Sequence, residues 1–282
     1  MLERSFGLSD QVRDAIAGLE ARCIRADGGR LKLEWGSLAR RDPSVVNDLL
    51  WWTESQELVG FCGRYSFGGH TPEITGMVDP SHRRRGIGSS LLNELLALCR
   101  QRGDRSVLLV TPRSCTDAKR LAERGGASFD HAEHAMVLTE LRGHGRTDST
   151  IALRAVTPKD VPAVRGLLAS TFGGVMRSSF TDAPDPEMLV AERSGQVIAT
   201  LRVTDVLGTR GIYGFVVDST LRGQGIGRDL LRRVCADALG NGASAVHLEV
   251  ETNNDRALGL YSSVGFELQT TEDYYLFDLW PA

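Results

Sequence analysis

Three glycines and an arginine crowd into the stretch VVDSTLRGQGIG, Val216 to Gly227, between an apolar run and the start of a helical pattern. A chain that turns from strand into helix leaves the first helical N–H groups unpaired. With the helix dipole they form a seat for an anion such as phosphate. Gly223, Gly225 and Gly227 allow backbone angles closed to other residues and let a pyrophosphate approach the main chain. Arg222 can add a charge-assisted bond. The spacing R-x-x-G-x-G matches neither the dinucleotide fingerprint nor the phosphate loop that ends in G-K-[ST]. Taken alone, such a loop could equally be a plain structural turn.

A shorter echo, MVDPSHRRRGIG, runs from Met77 to Gly88 at a constant offset of 139 residues, Asp79 to Asp218 and Gly88 to Gly227. It keeps Arg83, Gly86, Ile87 and Gly88, and puts Arg84 and Arg85 where the later copy has Gly223 and Gln224. Met77, Val78 and Arg83 to Gly88 are therefore a second candidate anion site. The basic run Arg83–Arg85 lies inside the loop, where a small anion is a better target than a nucleic acid.

Downstream, AVHLEVE alternates, with Val246, Leu248 and Val250 on one face and His247, Glu249 and Glu251 on the other. Glu249 can border a cleft and serve as a base, Glu251 points the same way, and a water chain could do the same work. His247 suits a structural hydrogen bond equally well. Near the C-terminus, Glu272–Asp273 and Tyr274–Tyr275 either line an acceptor site or belong to a strand edge.

The elements that must hold these residues are set by periodicity. IALRAVT reads as a strand, and PKDVPAVRGLLASTF as a helix with Pro158 in its first turn. EMLVAERSGQVIATLRVTDV reads as two strands joined at Ser194–Gly195, and RGIYGFVV as the strand that enters the loop. Beyond it, Ile226, Leu230, Leu231, Val234 and Ala238 share one face of a helix that stops near Gly240 and Gly242. NDRALGLYSSVG is a second helix, and FELQTTEDYYLFDLW a closing pair of strands. The first half repeats this layout from about Asn47, with NDLLWWTESQELVGFCGRYSF as its hairpin. It has no evident opening strand and goes straight to helix at LSDQVRDAIAGLEARC. The polar segment Arg142–Thr150 reads as a linker, giving domains 1–143 and 150–282.

At 282 residues, 41% hydrophobic and 24% charged, two soluble globular domains are expected, and no apolar run approaches a membrane span. A net charge of −3 argues against a nucleic-acid partner. The start of the chain has no signal-peptide pattern. Five scattered cysteines without a C-x-x-C pair suggest a reducing cytoplasm, with neither a disulfide framework nor a metal site. Oligomeric state is not readable.

The loop and the strand and helix after it resemble the GNAT superfamily of acyl-CoA-dependent N-acetyltransferases. The family's coenzyme A loop, Q/R-x-x-G-x-G/A, is met by Arg222, Gly225 and Gly227. Its later signature, L-x-V-x-x-x-N-x-x-A-x-x-L-Y-x-x-x-G-F, is met by Leu248, Val250, Asn254, Ala257, Leu260, Tyr261, Gly265 and Phe266. The resemblance implies an α/β (α+β) fold of two tandem domains, each a mixed, mostly antiparallel sheet flanked by helices. It implies acetyl-CoA as co-substrate and no metal, with pyrophosphate on Arg222, Gly223, Gln224, Gly225, Ile226 and Gly227. The pantetheine arm would pair with the main chain of Phe215, Val216 and Val217 and touch Asn254. Tyr261 holds the position of the family's general acid, though its helical face, shared with Ala257 and Val264, would also suit packing. Glu249 resembles the base of the ribosomal-protein alanine acetyltransferases. The acceptor would be the primary amine of a small molecule or peptide.

The first half lacks the same set. Val110 stands for Glu249, Cys115 for Asn254, Ala122 for Tyr261 and Ala127 for Phe266. It should keep an anion loop without catalysis; whether it binds acetyl-CoA is open. A degenerate first half before a complete second one is similar to the layout of the mycothiol synthases, which implies acetylation of a cysteinyl pseudodisaccharide as an alternative. A non-catalytic acyl-CoA-binding regulator is the other.

Overall fold

The repeat in the sequence is a repeat of elements. The computed structural model describes residues 1–67, 71–142, 147–172, 185, 187–206 and 208–280. The first half runs β1 (Leu2–Phe6), α1 (Asp10–Asp27), a short α2 (Trp35–Leu38), β2 (Val46–Trp52), β3 (Leu58–Tyr65), β4 (Glu73–Val78), α3 (Ile87–Gln101), β5 (Ser106–Pro112), α4 (Thr116–Arg124) and β6 (Ser128–Leu138). The second runs β7 (Ile151–Ala155), α5 (Val161–Phe172), β8 (Met188–Arg193), β9 (Gln196–Val206), β10 (Thr209–Val217), α6 (Ile226–Gly240), β11 (Val246–Glu251), α7 (Asp255–Val264) and β12 (Glu267–Asp278). From β4 and β10 onward the two series keep the offset of the sequence.

Two expectations need correction. The first half does have an opening strand: β1 pairs antiparallel with β2, Leu2 opposite Trp51 and Ser5 opposite Asp48. Its sequence, LERSF, is mostly exposed and carries two charges, so it gives little apolar alternation to read. The closing segment is one strand of twelve residues, not a pair.

Compact unit 1 comprises Met1–Phe67, Thr71–Glu133 and Thr270–Ala282, and unit 2 takes in His134–Gln269. These are not the contiguous blocks 1–143 and 150–282 expected from the linker, of which residues 143–146 lie outside the described residues. The last strand of each half closes the other half's sheet. In unit 1 the strand order is β1-β2-β3-β4-β5-β12. There β12 runs antiparallel to β5, from Glu272 opposite Pro112 to Asp278 opposite Ser106. In unit 2 the order is β7-β8-β9-β10-β11-β6. Each unit is a mixed, mostly antiparallel sheet whose parallel pair is β4–β5 or β10–β11.

Both faces of the unit 1 sheet are covered. Leu49, Val59 and Ile74 pack with α3, while Leu50, Leu58, Phe61 and Met77 pack with Ile16, Leu19 and Cys23 of α1. That is why β3 is a nearly continuous apolar run, LVGFCGRY, rather than an alternating one. In unit 2, Leu231, Val234 and Ala238 of α6 meet Leu248 and Val250 of β11, with Met136 and Leu138 of β6 in the same cluster.

The exchange of closing strands yields a test. Phe277 is buried beside Gly125 and α3-packed residues of unit 1, although it sits five residues from the chain's end. Phe277→Ala should cost about 3–5 kcal/mol. Native-state hydrogen exchange should show the loss in α3 and β5. Loss of protection confined to α6 and β11 would contradict the exchange.

Candidate active site

Parallel strands β10 and β11 share a ladder only from Arg210 opposite Val246 to Ile212 opposite Leu248. Beyond that point they part. On its other edge β10 pairs with β9, but the register shifts between Tyr213 and Val216. The extra residue is a bulge containing Gly214 at φ +57°, a left-handed angle that suits glycine. Val216 and Val217 resume pairing with Thr200 and Ala199 of β9. Their opposite edge, together with Phe215, lines a cavity of about 890 Å³.

The glycine loop closes one end of that cavity. The Asp218 carboxylate accepts bonds from the Thr220 N–H (2.9 Å) and hydroxyl (2.7 Å), which hold its pKa below the usual range. Arg222 Nε donates to the Val217 carbonyl (3.0 Å), and its NH2 to the Thr171 hydroxyl of α5 (3.3 Å). Gly223 and Gly225 lie at φ +80° and +82°. Gly225 is the N-cap of α6 and no side chain caps it, so first-turn N–H groups stay available to a ligand. A Cβ built on either glycine would meet nothing within 4 Å. The main chain of the loop is therefore open to the cavity.

Asn254, Ala257, Leu260 and Tyr261 form the facing wall. Asn254 is the N-cap of α7, its side-chain oxygen accepting from Ala257 N–H (3.2 Å). One oxygen is thus committed to the helix, which leaves the amide N–H₂ for a ligand. Tyr261 lines the cavity and packs its ring 6.0 Å from Phe266. Burial pushes its phenol up to about 12. At neutral pH the phenol keeps its proton.

Charge completes the picture. The described residues lining this cavity include Arg222, Arg228 and Arg256 and no acid. Arg228 and Arg256 are additional to the residues read from sequence. Each lies in the first turn of its helix, where a cation near an anion seat is a usable signal. Thr171 carried no such signal, because only the fold brings α5 beside the loop.

Not every expected residue comes to the cavity. Gln224 is exposed in the loop and does not line it. Glu249 follows the last paired residue of β11 on the face opposite Leu248 and Val250, half-buried, at the parting of the strands but outside the lining. Glu272, Asp273, Tyr274 and Tyr275 are buried strand residues paired with β5 in unit 1, and none lines the unit 2 cavity. The acceptor role offered for them is not supported there.

Unit 1 repeats the loop almost atom for atom. Asp79 accepts from Ser81 N–H (3.0 Å) and hydroxyl (2.6 Å), Arg83 Nε donates to the Val78 carbonyl (3.0 Å), and Gly86 caps α3 at φ +83°. Arg84 takes up the left-handed position of Gly223, at φ +61°. What differs is the arginine's far end. Arg83 makes a two-pronged ion pair with Asp27 (2.8 and 2.6 Å), which raises its pKa. The unit 1 cavity, about 530 Å³, is lined by Met77, Val78, Arg83, Arg84, Gly86, Ile87 and Gly88, whereas Arg85 turns back to the Ser81 carbonyl. Ala122 is fully buried and places no proton donor in that cavity.

Among the described residues no cluster of three or more metal-ligating side chains occurs, and no helix is long and apolar enough to cross a membrane.

These features have counterparts in known proteins. The family model described as "Acetyltransferase (GNAT) family" matches residues 20–126 and again 166–266. A mycothiol acetyltransferase of Brachybacterium faecium is 29% identical over 218 residues, covering 69% of this chain and 65% of that protein. One from Kineococcus radiotolerans is 27% identical over 293 residues, covering 95% of this chain and 94% of that protein. In fold, the chain is similar to a GCN5-related N-acetyltransferase from Sphaerobacter thermophilus, with a TM-score of 0.79 at 23% identity over 95% of this chain and 93% of that one. With both halves matched, the chain belongs to the GNAT acetyltransferase family, enzymes that transfer an acetyl group from acetyl-CoA, and it carries that domain twice.

Proposed function

We propose that unit 2 is the catalytic half and acetylates a primary amine by direct attack. Coenzyme A would lie with its pyrophosphate on Arg222–Gly227 and its pantetheine arm along Phe215, Val216, Val217 and Asn254. The observation that carries this reading is the cavity itself. It is lined by three arginines and no acid, and it opens where β10 leaves β11 with Tyr261 at its wall. Bound acetyl-CoA supplies an activated acyl carbonyl with a thiolate as leaving group.

The chain's own residues handle the protons. Tyr261 keeps its proton through the neutral range, since burial raises its pKa to about 12. A free thiol titrates near ~8.5, so full transfer from so weak an acid is uphill by several units. Tyr261 therefore works as a hydrogen-bond donor that stabilises charge as it develops on sulfur. Glu249, beside the parting of the strands, takes the proton that the acceptor's ammonium must lose before its neutral amine can attack, directly or through water.

The near full-length similarity to mycothiol acetyltransferases favours a mycothiol-type acceptor, the amine of a cysteinyl pseudodisaccharide, over a peptide. A non-catalytic acyl-CoA-binding role is disfavoured by the phenol placed in the cavity wall. Release of free thiol from acetyl-CoA, measured against a panel of amines, peptides and that pseudodisaccharide, separates the three.

Three results are expected. Gly225→Asp puts a Cβ and a carboxylate into the open cradle and should abolish acetyl-CoA binding to unit 2 by calorimetry; unchanged affinity there rejects the seat. Tyr261→Phe should lower kcat about 10²–10³-fold with little change in acetyl-CoA affinity. Because the raised pKa keeps the phenol protonated, the wild-type to Phe rate ratio should stay level from pH 7 to 10. A ratio that collapses below pH 10 would reassign the proton donor. Finally, unit 1 should remain silent in a Gly225→Asp, Ala122→Tyr double variant, because a phenol alone restores neither the asparagine nor the base. Acetyl transfer well above the uncatalysed rate would make unit 1 a second active site.

A further inference from the structure

The smaller cavity, that of unit 1, is the one that reaches into the core. Beyond its loop, the unit 1 cavity is walled by Phe61, Cys62, Leu91, Leu92 and Leu109, all buried core residues. Their counterparts in the repeat, Thr200, Leu201, Leu230, Leu231 and Leu248, do not line the unit 2 cavity. Tyr261 and Phe266, packed against each other in unit 2, are Ala122 and Ala127 in unit 1. Tyr261 stands in the wall of the unit 2 cavity, whereas the unit 1 cavity runs on to Leu91 and Leu92 of α3 and to Phe61, Cys62 and Leu109 of the sheet.

The depth is apolar and the mouth is basic. The acids in the lining are Asp27 and Asp117, and each is paired, with Arg83 at 2.6 Å and with Arg84 at 3.1 Å. His82, Arg120 and Arg124 add to the basic side of the lining. The thiols of Cys23 and Cys62 are held protonated by burial and behave as apolar wall. A cavity of about 530 Å³ lies in the range of specific small-ligand sites. A ligand matched to it has an anionic head and an aliphatic tail.

We propose that unit 1 is a binding site for an acyl-CoA whose chain is longer than acetyl, with the head on Arg83–Gly88 and the chain in the apolar depth. This rests on the reading of the glycine loop as a coenzyme A seat. It assigns to unit 1 a ligand for whose chain the unit 2 cavity has no counterpart of this apolar wall.

The test uses the full chain carrying Gly225→Asp, titrated calorimetrically with coenzyme A, acetyl-CoA, butyryl-CoA, hexanoyl-CoA and octanoate. Each buried methylene tightens binding about fourfold. Hexanoyl-CoA, with four more methylenes, should therefore bind about two orders of magnitude more tightly than acetyl-CoA, and octanoate weakly. Arg84→Glu, at an exposed side chain, should weaken all the thioesters alike. Leu109→Phe should weaken hexanoyl-CoA and spare acetyl-CoA, and Cys62→Met provides a second, milder filling of the same depth should the first not fold. Equal affinity for every chain length overturns the chain pocket and leaves the loop reading standing. No binding of any thioester overturns the loop reading as well. Octanoate binding as tightly as hexanoyl-CoA overturns the acyl-CoA assignment in favour of a free fatty carboxylate.

Discussion

After Ile212 and Leu248, two parallel strands that could go on bonding to each other stop. Main-chain N–H and C=O groups left unpaired inside a protein must find partners, so such a parting persists only where something else will satisfy them. On the proposed reading the partner in unit 2 is a ligand, and the neighbouring features keep the gap open. The Gly214 bulge turns β10 out of its ladder with β11 while β9 keeps hold of the other edge. The glycine loop then turns the chain into α6 with its first-turn amides bare, and α7 begins at Asn254 across the gap.

Unit 1 separates the parts of the motif that build the loop from the parts that do chemistry. Asp79 and Asp218 cap the same turn, Arg83 and Arg222 both bond the carbonyl of the last strand residue through Nε, and Gly86 and Gly225 share one left-handed angle. These are folding requirements, and both copies satisfy them. A glycine at position 223 is less stringent, since Arg84 adopts the same region at a modest cost in backbone strain. The residues facing the gap are under no such requirement. There the copies diverge, to Cys115, Ala122 and a guanidinium tied up by Asp27. The bulge is gone too: β3 and β4 stay in register from Gly60 opposite Val78 to Tyr65 opposite Glu73.

This division explains how much of the molecule is legible in its sequence. The loop, the helices after it and the alternation of β11 depend on local residue types, and they appear where periodicity puts them. The wall of the cavity is legible through Asn254 and Tyr261, because the short α7 fixes their spacing. Thr171 is not, since its place beside Arg222 depends on how α5 packs. The strand LERSF escapes a periodicity reading because an exposed edge strand needs no apolar alternation. Reading Glu272 to Tyr275 as an acceptor wall fails for a different reason. The pattern marks a strand correctly, but nothing local specifies which half's sheet that strand will join.

The choice of partner sheet ties the two halves of the chain to each other. Tyr274, Tyr275, Phe277 and Leu279 are all but fully buried, and β12 finds its ladder on β5 of unit 1. A chain reduced to its second half would expose this apolar strand and its unpaired edge, a pattern that invites aggregation. Conversely, Met136 and Leu138 come from the first half's closing strand and sit in the unit 2 core with Leu248, Val264 and Phe266. The helix that carries Tyr261 therefore packs on residues donated from before the linker. The loss of proton-handling groups from unit 1 leaves this dependence untouched, because packing requires only its sheet and core. Its loop can drift toward another ligand while β6 continues to complete the core of unit 2.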